Sequence, residues 1–237
     1  MTVTPDSDIL GFRQISTGSG LLALIGGTEF TEGCTFDQHL LKVTGAKRVA
    51  VVPTAAAFEN PQKVIDNAKQ YFSTLGVVVD PIMILKREDA SNSDFIDQIN
   101  EAEVIYITGG SPLHLVGVLK ATPALSAIEI KWRSGTALAA SSAGAMAIGD
   151  PMIDPRGGAF TVGLKLINNF TVIPHFDSGH IERNNRSLKF APKNTLLIGI
   201  EEKTALIRNL DGTWETLGAG SGHFFLNHES NDISVLN

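Results

Sequence analysis

Short apolar runs alternate with amphipathic segments over the first half of the chain, and each run contains Gly, Pro, Ser or Thr. Such runs are typical of buried strands that enter a loop. The segments between them have helical spacing, with Asn60 or Ser93 as an N-cap and Pro61 in a first turn. The pattern predicts strands at Leu21–Gly27, Arg48–Ala55, Val77–Leu85, Val104–Gly110 and Thr136–Ser142, and helices at 60–76, 93–102 and 123–135.

This alternation predicts an α/β fold, a three-layer, mostly parallel, doubly wound sheet with helices on both faces. After Pro151 the pattern changes, and residues 204–218 indicate a hairpin that turns at Asp211 and Gly212. We therefore expect some antiparallel strands to flank the sheet. No repeat or linker interrupts the pattern, so we expect a single domain over residues 1–237, with an irregular N-terminal segment at 1–18.

Composition narrows the class of protein. With 43% hydrophobic and 19% charged residues the chain is typical of a globular protein, and a net charge of −6 without a basic cluster disfavours nucleic acid. The one cysteine, Cys34, excludes an intramolecular disulfide and fits a reducing compartment; we assign it no chemistry. No secretory signal pattern or apolar stretch of ~20 residues is evident, so we expect a soluble, cytoplasmic protein without a membrane partner.

The strongest chemical candidate lies in the stretch LAASSAGAMAIG (Leu138–Gly149). Active sites in such sheets gather beyond the carboxyl ends of the strands. Ser142 follows a predicted strand and has small residues on both sides, which is typical of a nucleophile elbow. The usual signature has Gly two places before the serine, where this chain has Ala140. From this window alone, a reactive serine and a tightly packed strand–helix junction both remain open.

Other strand ends supply what a reactive serine needs, namely a base, an acid that orients the base, and donors for an oxyanion. His175 follows the apolar run FTVIP, at a natural position for a base. Glu201 and Glu202 follow the next apolar run. The paired glycines of ITGGSP allow backbone N–H groups to approach a substrate closely.

Five segments in order along the chain resemble motifs of the cyanophycinase and dipeptidase E family of serine peptidases. They are IGGTE, ITGGSP, SSAGA, PHF and GIEEKTAL, and the resemblance runs from about Leu21 to Leu206. The fold of that family is similar to the flavodoxin-like fold of class I glutamine amidotransferases. The resemblance implies a serine peptidase that hydrolyses a small peptide or isopeptide bond, aspartyl or β-aspartyl among the candidates, without a cofactor.

The resemblance also implies roles for individual residues. Ser142 is the implied nucleophile, His175 the general base and then acid, and Glu202 the orienting carboxylate. The backbone N–H groups of Gly110 and Ala143 are the implied oxyanion hole.

The resemblance leaves more than one candidate for the carboxylate that orients His175. The dipeptidase branch uses an Asp between the serine and the histidine in chain order, an interval that here holds Asp150 and Asp154. We keep Asp154 as the alternative triad acid. Glu201 is expected on the opposite side of the strand from Glu202, because side chains alternate along a strand.

A metal site is the less favoured interpretation of the region around the histidine. His175, Asp177 and His180 are suitable ligand types, but their spacing in a loop is weak evidence and no further ligand is evident. We therefore expect neither a metal nor a cofactor.

Four further residues are candidates for substrate contact. Glu29 and Ser111 follow strand ends, and Arg183 and Arg186 lie three residues apart on one face of an expected helix. For Glu29, orienting loops and contacting a substrate amine are both open. The Q-R-G-R sequence that follows the histidine in cyanophycinases is replaced by DSGHIER. The departure disfavours cyanophycin itself as the substrate and leaves peptide hydrolysis in place.

Two rival functions remain open at this stage. One is a serine esterase or amidase with the same triad, and the other is a non-catalytic binding module of the same fold. A glutamine amidotransferase is rejected, because it needs a cysteine where this chain has Ser142. A homodimer is the expected assembly by analogy with the fold.

Overall fold

The computed structural model describes residues 15–179 and 181–236. Most of the predicted irregular segment 1–18 lies outside these residues, and 15–18 form no helix or strand. The strands in chain order are β1 (Leu22–Ile25), β2 (Arg48–Val52), β3 (Val78–Pro81), β4 (Val104–Ile107), β5 (Ala137–Ser141), β6 (Gly149–Asp150), β7 (Met152–Ile153), β8 (Phe160–Thr161), β9 (Ile167–Asn168), β10 (Phe170–Ile173), β11 (Leu196–Ile200), β12 (Thr204–Arg208), β13 (Trp214–Gly218), β14 (Gly222–Leu226) and β15 (Glu229–Asn231). The helices are α1 (Thr35–Thr44), α2 (Pro61–Thr74), α3 (Ser93–Glu101), α4 (Pro112–Leu119), α5 (Pro123–Arg133), α6 (Ala143–Ile148) and α7 (Ile181–Lys189).

The main sheet has seven strands in the order β13-β12-β1-β5-β4-β2-β3. Strands β1 to β5 pair in parallel, whereas β12 is antiparallel to β1 and β13 is antiparallel to β12. The predicted parallel sheet and its antiparallel flank are therefore confirmed. Each predicted strand ends earlier than expected, at the Gly, Pro, Ser or Thr residues that lead into the loops.

Side chains alternate between two hydrophobic cores, one on each face of this sheet. On β1, Leu22 and Leu24 point to the core that contains residues of α3 to α6, while Ala23 and Ile25 point to the core that contains residues of α1 and α2. The doubly wound arrangement with helices on both faces is therefore confirmed. It follows from the apolar character of both faces of each parallel strand.

A second sheet was not foreseen from the sequence. It has six strands in the order β15-β14-β11-β10-β6-β9, and its Val172 and Ile198 belong to the same core as α3 to α6. A two-stranded ribbon, β7 with β8, lies in the segment between α6 and β10. The apolar runs before His175 and Glu201 are strands of this second sheet. The sequence did not show this, because hydrophobicity identifies a strand but not its partners.

Helix starts follow local chemistry. The Asn60 side chain accepts a hydrogen bond from the Lys63 N–H at 3.0 Å, and Pro61 is the first helical residue, as predicted. Ser93 was the wrong N-cap for α3, since the helix begins at Ser93 and Asn92 accepts from the Asp94 N–H at 2.8 Å. Among the described helices, none alone has the length and apolar composition of a membrane span, and Pro112–Leu119 with Pro123–Arg133 reach them only as a pair bent by 97°.

Asp37 is a buried carboxyl group in the core beneath the loop that follows β1. Its side chain is 1% exposed, and neither carboxylate oxygen has a hydrogen-bond partner among the described residues. The Tyr71 hydroxyl donates instead to the Cys34 carbonyl oxygen at 3.0 Å. Burial raises the pKa of Asp37 to about 8, and the nearby carboxylate of Glu29 adds to the rise.

We predict that Asp37→Asn raises the free energy of unfolding at pH 8, and that this gain shrinks as the pH falls towards 4. The folded protein keeps Asp37 protonated up to about pH 8, whereas the unfolded chain ionises it near 3.8, so folding takes up a proton between these values. The stability of the wild type therefore falls with rising pH in this interval, and the asparagine variant lacks this contribution. Urea unfolding at several pH values measures the difference.

Asp97→Asn, which changes an exposed carboxyl group, is the control and should leave the pH dependence unaltered. A difference between Asp37→Asn and the wild type that stays constant from pH 4 to 8 would contradict the prediction.

Candidate active site

The sharp turn between β5 and α6 presents Ser142. Its backbone has φ 49° and ψ −109°, a left-handed conformation that is rare for a residue with a side chain. The Ser142 N–H donates to the Ile25 carbonyl oxygen at 2.9 Å. A Cβ on Gly144 would lie 2.7 Å from the Ile107 carbonyl oxygen, so the turn requires a small residue there. The turn has the geometry of a nucleophile elbow.

At this turn, three side chains are connected in series by two hydrogen bonds. Ser142 Oγ lies 2.9 Å from His175 Nε2, and His175 Nδ1 lies 2.8 Å from Glu202 Oε1. His175 follows β10 and Glu202 follows β11, and these two strands are parallel neighbours. With its proton on Nδ1, the neutral imidazole donates to Glu202 and leaves Nε2 free to accept from Ser142.

The loop after β1 supports the imidazole. The His175 N–H donates to the Gly26 carbonyl oxygen at 2.8 Å, and His175 itself has a positive φ of 52°. Gly27 has φ 123°, and a Cβ built on it would collide with the imidazole ring. The close approach of backbone to ring therefore depends on glycine at position 27.

The hydrogen bonds that Glu202 accepts favour its ionised form. Hydrogen bonds from His175, Ser178 and Thr28, in that order of effect, hold the pKa of Glu202 below its ordinary value. The Ser178 hydroxyl donates to the same Oε1 atom at 2.8 Å. The Glu202 N–H donates to Asp177 Oδ1 at 3.0 Å, which fixes the backbone of this loop.

The other candidate acids have different partners. Asp154 Oδ1 accepts from Arg156 Nε at 2.8 Å, and these hydrogen bonds lower the pKa of Asp154 to about 2. Asp150 accepts from the Gly163 N–H at 2.9 Å. Glu201 points the other way, as alternation predicts, and its Oε1 lies 2.8 Å from Nε2 of His223. Of the carboxylates proposed for the triad, the structure brings Glu202 alone to the imidazole.

The two residues expected to supply the oxyanion hole line the same pocket as Ser142. Gly110 and Ala143 both line it, and Gly110 has φ 132° with a Cβ position blocked by the Ala55 backbone. Ala143 is the first residue of α6, so its N–H has no acceptor within the helix. Both groups are available to a ligand oxygen near Ser142.

The pocket beside Ser142 is small, about 170 Å³. Arg183 is the cation in its wall, and its Nη1 donates weakly to the Pro155 carbonyl oxygen at 3.4 Å. Arg186 lies further out, in an adjoining groove with Arg156 and Arg183. The apolar part of the pocket wall includes Met146, Ile153, Pro155, Val172 and Ile173.

Two predicted contact residues have other tasks. Ser111 caps α4, since its Oγ accepts from the His114 N–H at 3.3 Å, and the pocket lining passes from Gly110 to Pro112. Glu29 Oε2 accepts from the Ser141 hydroxyl at 2.7 Å, and its Oε1 accepts from the Gly109 N–H at 3.0 Å.

No group of three or more His, Cys, Asp or Glu side chains in the described part of the chain is placed to hold a metal ion. Of the three residues considered for a metal, His175 and Asp177 contact Glu202, and His180 lies outside the described residues. Cys34 is buried, and its Sγ donates to the Thr28 carbonyl oxygen at 3.4 Å.

Gly27, Thr28 and Ser178 were missed as contacts of the site. Gly27 and Thr28 stand in the motif IGGTE, at the end of a predicted strand, and Ser178 stands three residues after His175. Position at a strand end was therefore the available signal. Their roles depend on distances to residues far along the chain, which the sequence does not show.

Comparisons with known proteins point in one direction. The family model described as Peptidase family S51 matches residues 21–214. Cyanophycinases of Trichormus variabilis and Synechococcus elongatus are both 28% identical to this chain; the first alignment covers 87% of this chain and 73% of the relative, and the second 88% and 69%. The crystal structure of a peptidase from an acI-B1 Actinobacterium has a TM-score of 0.77 and 30% identity, covering 90% of this chain and 96% of that chain.

We predict that Gly27→Ala lowers the reactivity of Ser142 towards a fluorophosphonate by roughly 10²-fold, because the new methyl group displaces the imidazole from Ser142. The rate of adduct formation, followed by mass spectrometry, measures the effect. Gly76→Ala is the matched control: Gly76 has a positive φ of 72° with nothing near its Cβ position. It should lose about 1 kcal/mol of stability to backbone strain and keep the wild-type labelling rate. Equal rates for the two variants would show that Gly27 does not set the position of the ring.

Proposed function

The chain belongs to peptidase family S51, and from this premise we propose that Ser142, His175 and Glu202 form the catalytic triad of a serine peptidase. The family membership confirms the resemblance of the five sequence motifs. The observation that carries the proposal is the pair of hydrogen bonds on one imidazole, 2.9 Å to Ser142 and 2.8 Å to Glu202. A nucleophile, a base and an orienting acid in this order are the requirement for acyl transfer through a serine.

In the proposed first step, His175 Nε2 takes the Ser142 proton as Oγ bonds to the carbonyl carbon of the scissile bond. The carbonyl oxygen becomes an oxyanion that accepts from the N–H groups of Gly110 and Ala143. His175 then gives its proton to the leaving nitrogen, the C–N bond breaks, and the acyl group stays on Ser142. Water attacks this ester with the help of His175 and releases the acid and the free enzyme.

Glu202 has two tasks in this scheme. Its ionised carboxylate keeps the His175 proton on Nδ1, so that Nε2 can act as a base, and it stabilises the imidazolium that forms during each step. The hydrogen bonds that lower the pKa of Glu202 support both tasks, since a protonated carboxyl group would do neither.

We propose that the substrate is a short peptide or isopeptide with an acidic group, such as an aspartyl or β-aspartyl residue, next to the scissile bond. The small pocket has room for one side chain. Arg183 in its wall has guanidinium N–H groups that can donate to a carboxylate, and Arg186 lies further out. Asp154 neutralises Arg156 in the same region, which leaves Arg183 as the principal cation of the pocket.

The triad is tested by covalent labelling. We expect a fluorophosphonate to form one adduct on wild-type Ser142, none on Ser142→Ala, and the normal adduct on Ser73→Ala, which removes an exposed serine of α2. Glu202→Gln should slow labelling by about 10²- to 10⁴-fold, because the imidazole loses its orientation and its charge partner.

Glu201→Gln is the matched control for Glu202→Gln, because Glu201 stands next in sequence and pairs with His223 instead. Asp154→Asn tests the alternative acid. Both variants should keep the wild-type labelling rate. A loss in Asp154→Asn that equals the loss in Glu202→Gln would refute Glu202 as the triad acid, and wild-type protein without an adduct would refute the triad.

The substrate class is tested with aspartyl and β-aspartyl dipeptides, their asparaginyl counterparts and simple esters. We expect the acidic peptides to give the highest kcat/KM, and Arg183→Gln to raise KM for them roughly 10- to 100-fold with no change for the asparaginyl peptides. Arg48→Gln, at the start of β2, is the control. Equal turnover of neutral and acidic peptides would contradict the proposed class, and turnover of esters alone would favour an esterase.

A further inference from the structure

The loop that follows β1, residues 26–30, connects both halves of the proposed oxyanion hole through Glu29. Glu29 Oε1 accepts from the Gly109 N–H at 3.0 Å, and Oε2 accepts from the Ser141 hydroxyl at 2.7 Å. Gly109 directly precedes Gly110, and Ser141 directly precedes Ser142. One carboxylate thus links the loop after β4 to the elbow after β5.

The Glu29 side chain is held from both sides. Thr28 and Phe30 have positive φ values of 58° and 61°, so the backbone on each side is in a conformation that only surrounding contacts maintain. The Phe30 ring lies 4.9 Å from the Tyr106 ring in the buried core. Thr28 hydrogen-bonds to Glu202 on the other side. The carboxylate therefore has little freedom to leave Gly109 and Ser141.

The hydrogen bonds of the loop after β4 leave one amide free for a ligand. The Thr108 N–H donates to the Val52 carbonyl oxygen at 3.3 Å, and the Ser111 N–H donates to the Ala55 carbonyl oxygen at 2.7 Å. The Gly109 N–H is taken by Glu29. Gly110 N–H has no acceptor among the described residues, and the bonds on either side of it determine its direction.

We propose that Glu29 is a positioning residue that aligns the Gly110 N–H with the Ser142 elbow, rather than a ligand of the substrate. The proposal rests on the proposed function, because it assigns Gly110 to the oxyanion hole. Each Glu29 oxygen accepts a hydrogen bond within the protein, Oε1 from the Gly109 N–H and Oε2 from the Ser141 hydroxyl, so the carboxylate is already oriented by the two loops that it joins. On this proposal, residue 29 must place two hydrogen-bonding atoms at fixed positions, and the negative charge of Glu29 is not required.

This requirement separates two substitutions of similar size. In Glu29→Gln the amide oxygen can accept from Gly109, and the amide N–H can donate to the Ser141 hydroxyl, which accepts as readily as it donates. In Glu29→Leu both hydrogen bonds are lost. We expect Gln to keep the wild-type kcat and labelling rate, and Leu to lower both by roughly 10²-fold with KM unchanged, the cost typical of one oxyanion donor.

Three measurements give the test: the second-order rate of Ser142 labelling by a fluorophosphonate, kcat and KM on the best peptide of the panel, and the melting temperature. A rise in KM in both variants with kcat unchanged would overturn the proposal in favour of substrate contact. A lower melting temperature in Glu29→Leu with an unchanged labelling rate would overturn it in favour of a purely structural role.

Ser141→Ala carries the test if Glu29→Leu does not fold. It removes one of the two hydrogen bonds, and we expect a smaller loss of labelling rate, about tenfold. Unchanged labelling in Ser141→Ala would then count against the proposal. A wild-type protein that does not label at Ser142 would refute the proposed function, whereas normal labelling of wild type and Glu29→Leu alike would refute the role of Glu29 alone.

Discussion

The arrangement of the site depends on one imidazole, that of His175, which hydrogen-bonds to both the Ser142 hydroxyl and the Glu202 carboxylate. The serine stands on the seven-stranded sheet, whereas the histidine and the glutamate follow strands of the six-stranded sheet. A relative shift of 1 Å between the sheets would break one of these hydrogen bonds. The two sheets share a hydrophobic core, and the His175 N–H donates to the Gly26 carbonyl oxygen between them, so that the spacing is fixed close to the imidazole.

Four residues of the site region have strained backbone conformations. Ser142 and His175 have positive φ values, as do Thr28 and Phe30 in the loop after β1. Such conformations cost free energy and persist only where neighbouring contacts over-determine them. Here the compensation comes from buried strands on either side and from the aromatic cluster around Phe30. Rigidity at the site therefore derives from packing well outside it.

Four carboxylates at or beside the site have separate partners, and a fifth, that of Asp37, is buried without a hydrogen-bond partner among the described residues. Glu202 holds the imidazole, Glu201 holds His223, and Asp154 holds Arg156. Glu29 bonds to groups without formal charge, and the buried Asp37 stays protonated. Because Glu201, Asp154 and Glu29 have other partners, they do not compete with Glu202 for His175.

The sequence by itself predicted the parallel sheet, the two-faced packing and the turn at Ser142, because each is indicated by patterns of residues within a few positions of one another. Only the tertiary structure decided that Glu202 and not Asp154 meets His175, that Ser111 caps a helix, and that His175 and Glu202 follow strands of a second sheet. These outcomes depend on side chains that are distant in the chain. Their contacts are selected by how the two sheets pack together, which local patterns do not encode.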